Sequence, residues 1–111
     1  MDAHNVVVIR GVVVGEPRIR ELPAGGVVTQ LDVTTRSEGL TASVPVSVYG
    51  RTVDATAGDI VVVVGHVNRR FFRSGGTTQS RTELVAADVV RTSRKRAVDK
   101  LIAAVVELLA V

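Results

Sequence analysis

Between Asn68 and Arg81 the chain reads NRRFFRSGGTTQSR, placing Arg69, Arg70 and Arg73 around Phe71 and Phe72, then a Ser74-Gly75-Gly76 turn, then Arg81. Guanidinium groups neutralise phosphates and lie over flat rings, and an exposed phenylalanine offers a π-face on which a base can stack. Adjacent residues of an extended strand point to opposite faces, so one ring of the pair is expected to pack and the other to face solvent. The combination suits a ligand with both negative charge and flat rings, for which single-stranded nucleic acid is the candidate.

The charge distribution points the same way. The formal net charge is +3, yet between His66 and Arg96 eight cations (Arg69, Arg70, Arg73, Arg81, Arg91, Arg94, Lys95, Arg96) stand against two acids, Glu83 and Asp88. A local basic patch is the electrostatic footprint of a nucleic-acid binder. Other chemistry finds little support. The chain has no cysteine, so it offers no disulfide, thiolate metal site or thiol nucleophile. His4 and His66 lack partners at metal-ligand spacing, no nucleophile, base and acid arrangement is visible, and Gly25-Gly26 and Gly75-Gly76 belong to turns, with no phosphate-loop motif after either. Neither enzyme activity, metal nor cofactor is expected. With no secretory leader pattern at Met1 and no apolar run of about 20 residues, the expectation is a cytoplasmic, nucleoid-associated protein that does not engage a membrane.

The elements that must position these residues follow from periodicity. The chain has 111 residues, of which 46% are hydrophobic and rich in valine, which favours strands in one domain. Val6 to Val14 is apolar on both faces apart from Arg10 and Gly11, so its second face should meet either another copy of the chain or the chain's own loop or helix. Pro17 and Pro23 bracket a short edge piece, Arg18 to Leu22. Val28 to Arg36 alternates, with Gln30, Asp32, Thr34 and Arg36 on a polar face. Val44, Val46 and Val48 oppose Ser43, Pro45, Ser47 and Tyr49 in the next strand, where Pro45 predicts an edge or an irregularity. Arg51 to Ala57 leaves room for a short helix. Ile60 to Phe72 forms a long strand that bends at Gly65, and Arg81 to Val90 forms the last strand. From Ser93, a plausible N-cap, Val98, Leu101, Ile102, Val105, Leu108 and Leu109 form a helical stripe. The expected fold class is all-β: a five-stranded Greek-key barrel of the OB type over residues 1–92, with a C-terminal amphipathic α-helix over 93–111. SH3-like barrels and open sandwiches are the alternatives, and a helix between the third and fourth strands favours the OB arrangement.

Over roughly residues 5 to 90 the chain resembles the bacterial single-stranded DNA-binding protein family. The resemblance rests on Asn5 to Gly11, Pro17 with Arg20 and Pro23-Ala24-Gly25-Gly26, Val46 to Arg51, Gly58-Asp59 leading to Val64-Gly65-His66-Val67, and Thr82 to Val85. It implies an OB fold that wraps single-stranded DNA, and assembly as a dimer or tetramer through the first strand. By matching positions, Tyr49 stands where the family places a ring near DNA and Phe72 where it places a stacking ring on the fourth strand, leaving Phe71 for packing. Arg20 and Arg51 match basic positions. The chain has no Trp, and two further stacking positions of the family fall near Gly39 and at Ser43. Family members continue into an acidic tip that recruits other proteins, whereas this sequence is a short form that ends in a helix, so recruitment through such a tip is not expected.

The resulting set of candidate contacts is Arg20, Arg36, Tyr49, Arg51, Arg69, Arg70, Phe72, Arg73 and Arg81. Asp32, on the same face as Gln30 and Arg36, is expected to repel phosphate. The expected role is single-stranded DNA binding and protection in replication, recombination or repair, with RNA a further possible ligand. The alternative is an oligomerising OB-fold interaction module that binds DNA weakly or not at all.

Overall fold

The computed structural model describes residues 3–110. β1 (Val7–Glu21), β2 (Val27–Ser37), β3 (Leu40–Tyr49), β4 (Ile60–Ser74) and β5 (Thr77–Arg91) close into a barrel in the order β1-β2-β3-β5-β4, followed by α1 (Lys95–Leu109). All neighbouring strands are antiparallel except β3 and β5. This is the five-stranded arrangement expected of an OB barrel.

The interior is built from β-branched and leucine side chains: Val13, Leu31, Val33, Val46, Val48, Val61, Val63 and Leu84 form its buried centre. Alternation puts every second residue inward, and small branched chains fill a narrow barrel without needing rings. At Gly11 and Gly65 a Cβ would overlap the backbone carbonyls of Thr34 and Val85 respectively, so only glycine lets the strands approach this closely. Gly65 also sits at a β-bulge, where β5 carries the extra residue Ala87, and β4 bends there as its sequence indicates.

The structure departs from expectation in three places. Arg18 to Glu21 is not a separate edge piece: β1 continues through an irregularity after Val14 and pairs with β2 to its end, and Pro17 lies in the unpaired stretch where its missing N–H interrupts no ladder. The short helix between the third and fourth strands is absent. Residues 50–59 cross as a loop, which β-branched Thr52, Val53 and Thr56 favour over a helix. The loop is fastened by Thr29 Oγ1 donating to the Arg51 carbonyl (2.9 Å) and by reciprocal bonds from Val13 N to Asp59 O (2.9 Å) and from Gly58 N to Val13 O (2.8 Å), and it inserts Ala55 into the core. The barrel thus has OB strand order without the helix used to argue for it. The helix N-cap is Arg94, not Ser93, because Val98 N makes the first intrahelical bond to Arg94 O (3.1 Å), and no side chain caps it. At Pro45 the expectation of an edge or an irregularity agrees with the structure: β3 pairs with β5 only at Val46 and Ser47, so the strand is open on that side at the proline.

α1 lies against β5 on the outside of the barrel, where Leu101 and Val105 share an apolar groove with Val64, Gly65 and Ala87. Val61 to Val64 are all buried, inward and outward alike, Val64 within that groove. Nothing comparable covers β1: the outward-facing Val8, Val12 and Val14 are exposed, as is Ile60, the partner of Val12 on β4. The helix reaches only the start of that face, where Val6 lines the groove with Leu101 and Val105.

Candidate nucleic-acid interface

β4 parts from β1 at Gly65 and β5 pairs with β3 as far as Leu84, so from Asn68 opposite Glu83 outward the two strands form a two-stranded arm. Asn5 clamps its root: the side-chain amide donates to Val67 O (2.8 Å) and accepts from Val67 N (3.0 Å), supplying a ladder rung from outside any strand. The ladder then runs unbroken from Gly65 opposite Ala86 to Ser74 opposite Thr77. The tip closes through Gly75 and Gly76, both at positive φ, as a tight two-residue hairpin requires. Arg73 Nη2 bonds Gly76 O at 3.0 Å and braces it.

The pairing register sorts the arm's side chains into two faces. One carries Arg70 directly opposite Arg81, with Phe72 opposite Gln79 on the next rung of that face. The other carries Arg69 opposite Thr82, Phe71 opposite Ser80 and Arg73 opposite Thr78. Each face thus combines guanidinium groups with a ring. Like charges directly across a ladder repel one another, so the Arg70 and Arg81 pair is a position where an anion would relieve strain. Phe71, expected to pack, is 66% exposed, more than Phe72 at 40%. The arm is a two-stranded ribbon with no third layer for a ring to pack against. Sequence alternation showed that the rings part company, but not that both faces of the ribbon are open.

The remaining predicted residues are distributed over the barrel. Arg20 and Tyr49 both pair with Val28, so they lie in one cross-strand row of β1, β2 and β3, with Tyr49 45% exposed. Arg36 is exposed near the β2–β3 hairpin, opposite Thr41. Because β3 and β5 run parallel and start from the two hairpins, Arg36 and the arm occupy the same end of the barrel, while Arg20, Tyr49 and Arg51 belong to the other. Arg51 is already engaged: its guanidinium donates to the carbonyl of the bulge residue Ala87 and pairs with Asp88 at 3.3 Å. Asp32, expected to repel phosphate, is paired with Arg18 at 3.5 Å, which offsets its charge.

All three aromatic residues of the chain, Tyr49, Phe71 and Phe72, are exposed. Rings are normally the largest contributors to a core, and here the core contains none. No group of His, Asp and Glu side chains among the described residues has metal-binding geometry, and no helix among them is long and apolar enough to cross a membrane.

No protein-family model matches the chain, and no curated protein matches it. Among solved structures it is similar to the Plasmodium falciparum SSB in complex with ssDNA, with a TM-score of 0.70 and 21% identity over 82% of this chain and 97% of that one. At this identity the likeness is one of fold.

Proposed function

We propose that this chain binds single-stranded DNA with little dependence on sequence, through backbone charge and a few stacked rings, and so protects exposed strands during replication, recombination or repair. The observation that carries the reading is the outward placement of every ring the chain has, two of them on an arm flanked by Arg69, Arg70, Arg73 and Arg81. Phosphates meet the arginines and bases lie on Phe71 and Phe72; Tyr49 with Arg20 extends the path at the far end of the barrel, and Arg36 flanks it near the arm. Arg51 contributes by holding the bulge in β5 beside it. That the similar Plasmodium protein was solved with ssDNA supports the same ligand here. The work is binding rather than catalysis, done in the cytoplasm at the nucleoid.

The test is fluorescence anisotropy of a labelled oligo-dT against the matching duplex, at low and near-physiological salt. Submicromolar binding that prefers the single strand and weakens with salt is expected; equal affinity for the duplex contradicts the reading.

We further propose assembly into a dimer or tetramer through β1, whose exposed Val8, Val12 and Val14 form with Ile60 an apolar face interrupted by Arg10. Val12→Arg is then expected to reduce the oligomer to a smaller species in sedimentation, and an unchanged size contradicts it. A second reading, an interaction module with little DNA binding, is favoured by α1, which leaves Ile102, Val106, Leu108 and Leu109 exposed. Loss of oligo-dT binding at low salt would select it.

A further inference from the structure

Arg94, Lys95 and Arg96 are consecutive cations where β5 gives way to α1, all of them exposed, and they surround a shallow depression of about 370 Å3. Among the described residues none of the three pairs with an acid: the salt bridges there join Arg18 to Asp32, Arg51 to Asp88 and Arg91 to Asp54. Asp99, the nearest acid in sequence, pairs with none of them. Cations crowded together repel one another, and at the start of a helix they also oppose its dipole. The cluster therefore adds nothing to the stability of α1, and its charge is free to meet an anion.

The backbone that carries the cluster is fixed to the barrel. Arg94 N donates to Arg91 O at 3.0 Å and closes a turn, and Thr92 fastens that turn, its N and Oγ1 donating to Ile60 O at 2.9 and 3.2 Å. Because β3 and β5 run parallel, the turn lies at the C-terminal ends of both strands, the end that also carries Tyr49 and Arg20. Arg51, which follows Tyr49 after Gly50, lines one pocket with Arg94. Both acids of that pocket are already held, Asp88 by Arg51 and Asp54 by Arg91, so their charges are offset. A phosphate backbone passing Tyr49 thus meets the three unpaired cations next.

We infer that Arg94, Lys95 and Arg96 form a second phosphate-contacting surface for the same single strand, which runs from the arm past Tyr49 and ends on this cluster. The inference rests on the proposed binding of single strands and adds a second region of contact to it. None of the chain's three rings belongs to the cluster, so its contacts are to the backbone and are indifferent to the bases. Between Arg81 on the arm and Arg91 at the turn, β5 supplies roughly 33 Å of chain. Only a strand long enough to cross the barrel engages both regions.

The test measures the salt dependence of binding for labelled oligo-dT of two lengths, about 5 and about 16 nucleotides, near the lower and upper ends of the site sizes of OB folds. For the long strand, the triple variant Arg94→Ala, Lys95→Ala, Arg96→Ala is expected to lower the slope of log affinity against log salt by about 2, three contacts at about 0.7 each. For the short strand, held by the rings of the arm, the slope is expected to keep its wild-type value. The three positions are exposed and alanine favours a helix, so the variant is expected to fold. An unchanged slope with the long strand overturns the second surface and leaves binding at the arm intact. An equal fall for both lengths also overturns it, because the cations would then act through net charge instead of contact. Failure of the wild-type chain to bind the long strand at low salt overturns both the surface and the reading on which it rests.

Discussion

Two stretches of β4 lie only a few residues apart and have opposite fates. Val61 to Val64 are all buried, inward and outward alike, with Val64 in the groove beside α1, while Arg69 to Phe72 stand on a ribbon with neither face covered. The division falls at Gly65, where the bulge and the close approach of the Val85 carbonyl turn the strand out of the barrel. One continuous ladder thus joins a region whose side chains contribute stability to a region whose side chains are free to contribute binding. Rigidity passes from the first to the second through the backbone, so the rings can be exposed without being loosely held.

The strongest way to break this division is at its boundary. Gly65→Ala would drive a methyl group into the Val85 carbonyl, and an overlap with backbone cannot be relieved by a side-chain rotation. A loss of about 3 kcal/mol or more in denaturant unfolding is expected, with the arm's function lost alongside the fold. A smaller loss, about 1 kcal/mol, is expected for Arg51→Ala, which removes the guanidinium from the Ala87 carbonyl and from Asp88. Because that cation is already paired, the salt dependence of DNA binding should change little, and a drop in slope comparable to that of an arm arginine would move Arg51 from the supporting region to the binding one.

The smallest stability effect should come from the arm itself. Arg81→Ala removes one of two cations that face each other across the ladder, so unfolding should shift by no more than about 0.5 kcal/mol. The slope of log affinity against log salt should fall by about 0.7, the value for one contact to a single strand. An unchanged slope would remove Arg81 from the phosphate path.

Much of this division was legible in the sequence. The unbroken valines before Gly65, the arginines and phenylalanines after it, and the Gly75-Gly76 turn located the arm and its cationic character before any geometry was known. The strand order was reached partly by way of a helix at Arg51 to Ala57 that does not form: the loop closes the barrel with Ala55 instead, a tertiary contact that local propensity does not report. Periodicity separated Phe71 from Phe72 but could not tell that the ribbon lacks a packing layer, since that depends on where distant elements end. Asn5 was harder still. Its role arises from a bond spanning 62 residues to Val67, and nothing in its local pattern marks it.

The central claim is that the arm binds and the barrel stabilises. Its most direct test is the Phe71→Ala, Phe72→Ala double variant, measured for both unfolding and oligo-dT affinity. Stacking is worth about 1–3 kcal/mol per base, so affinity should fall at least tenfold while the unfolding midpoint stays within error of wild type. A lowered midpoint with unchanged affinity would contradict the account, because the rings would then be part of what holds the fold together.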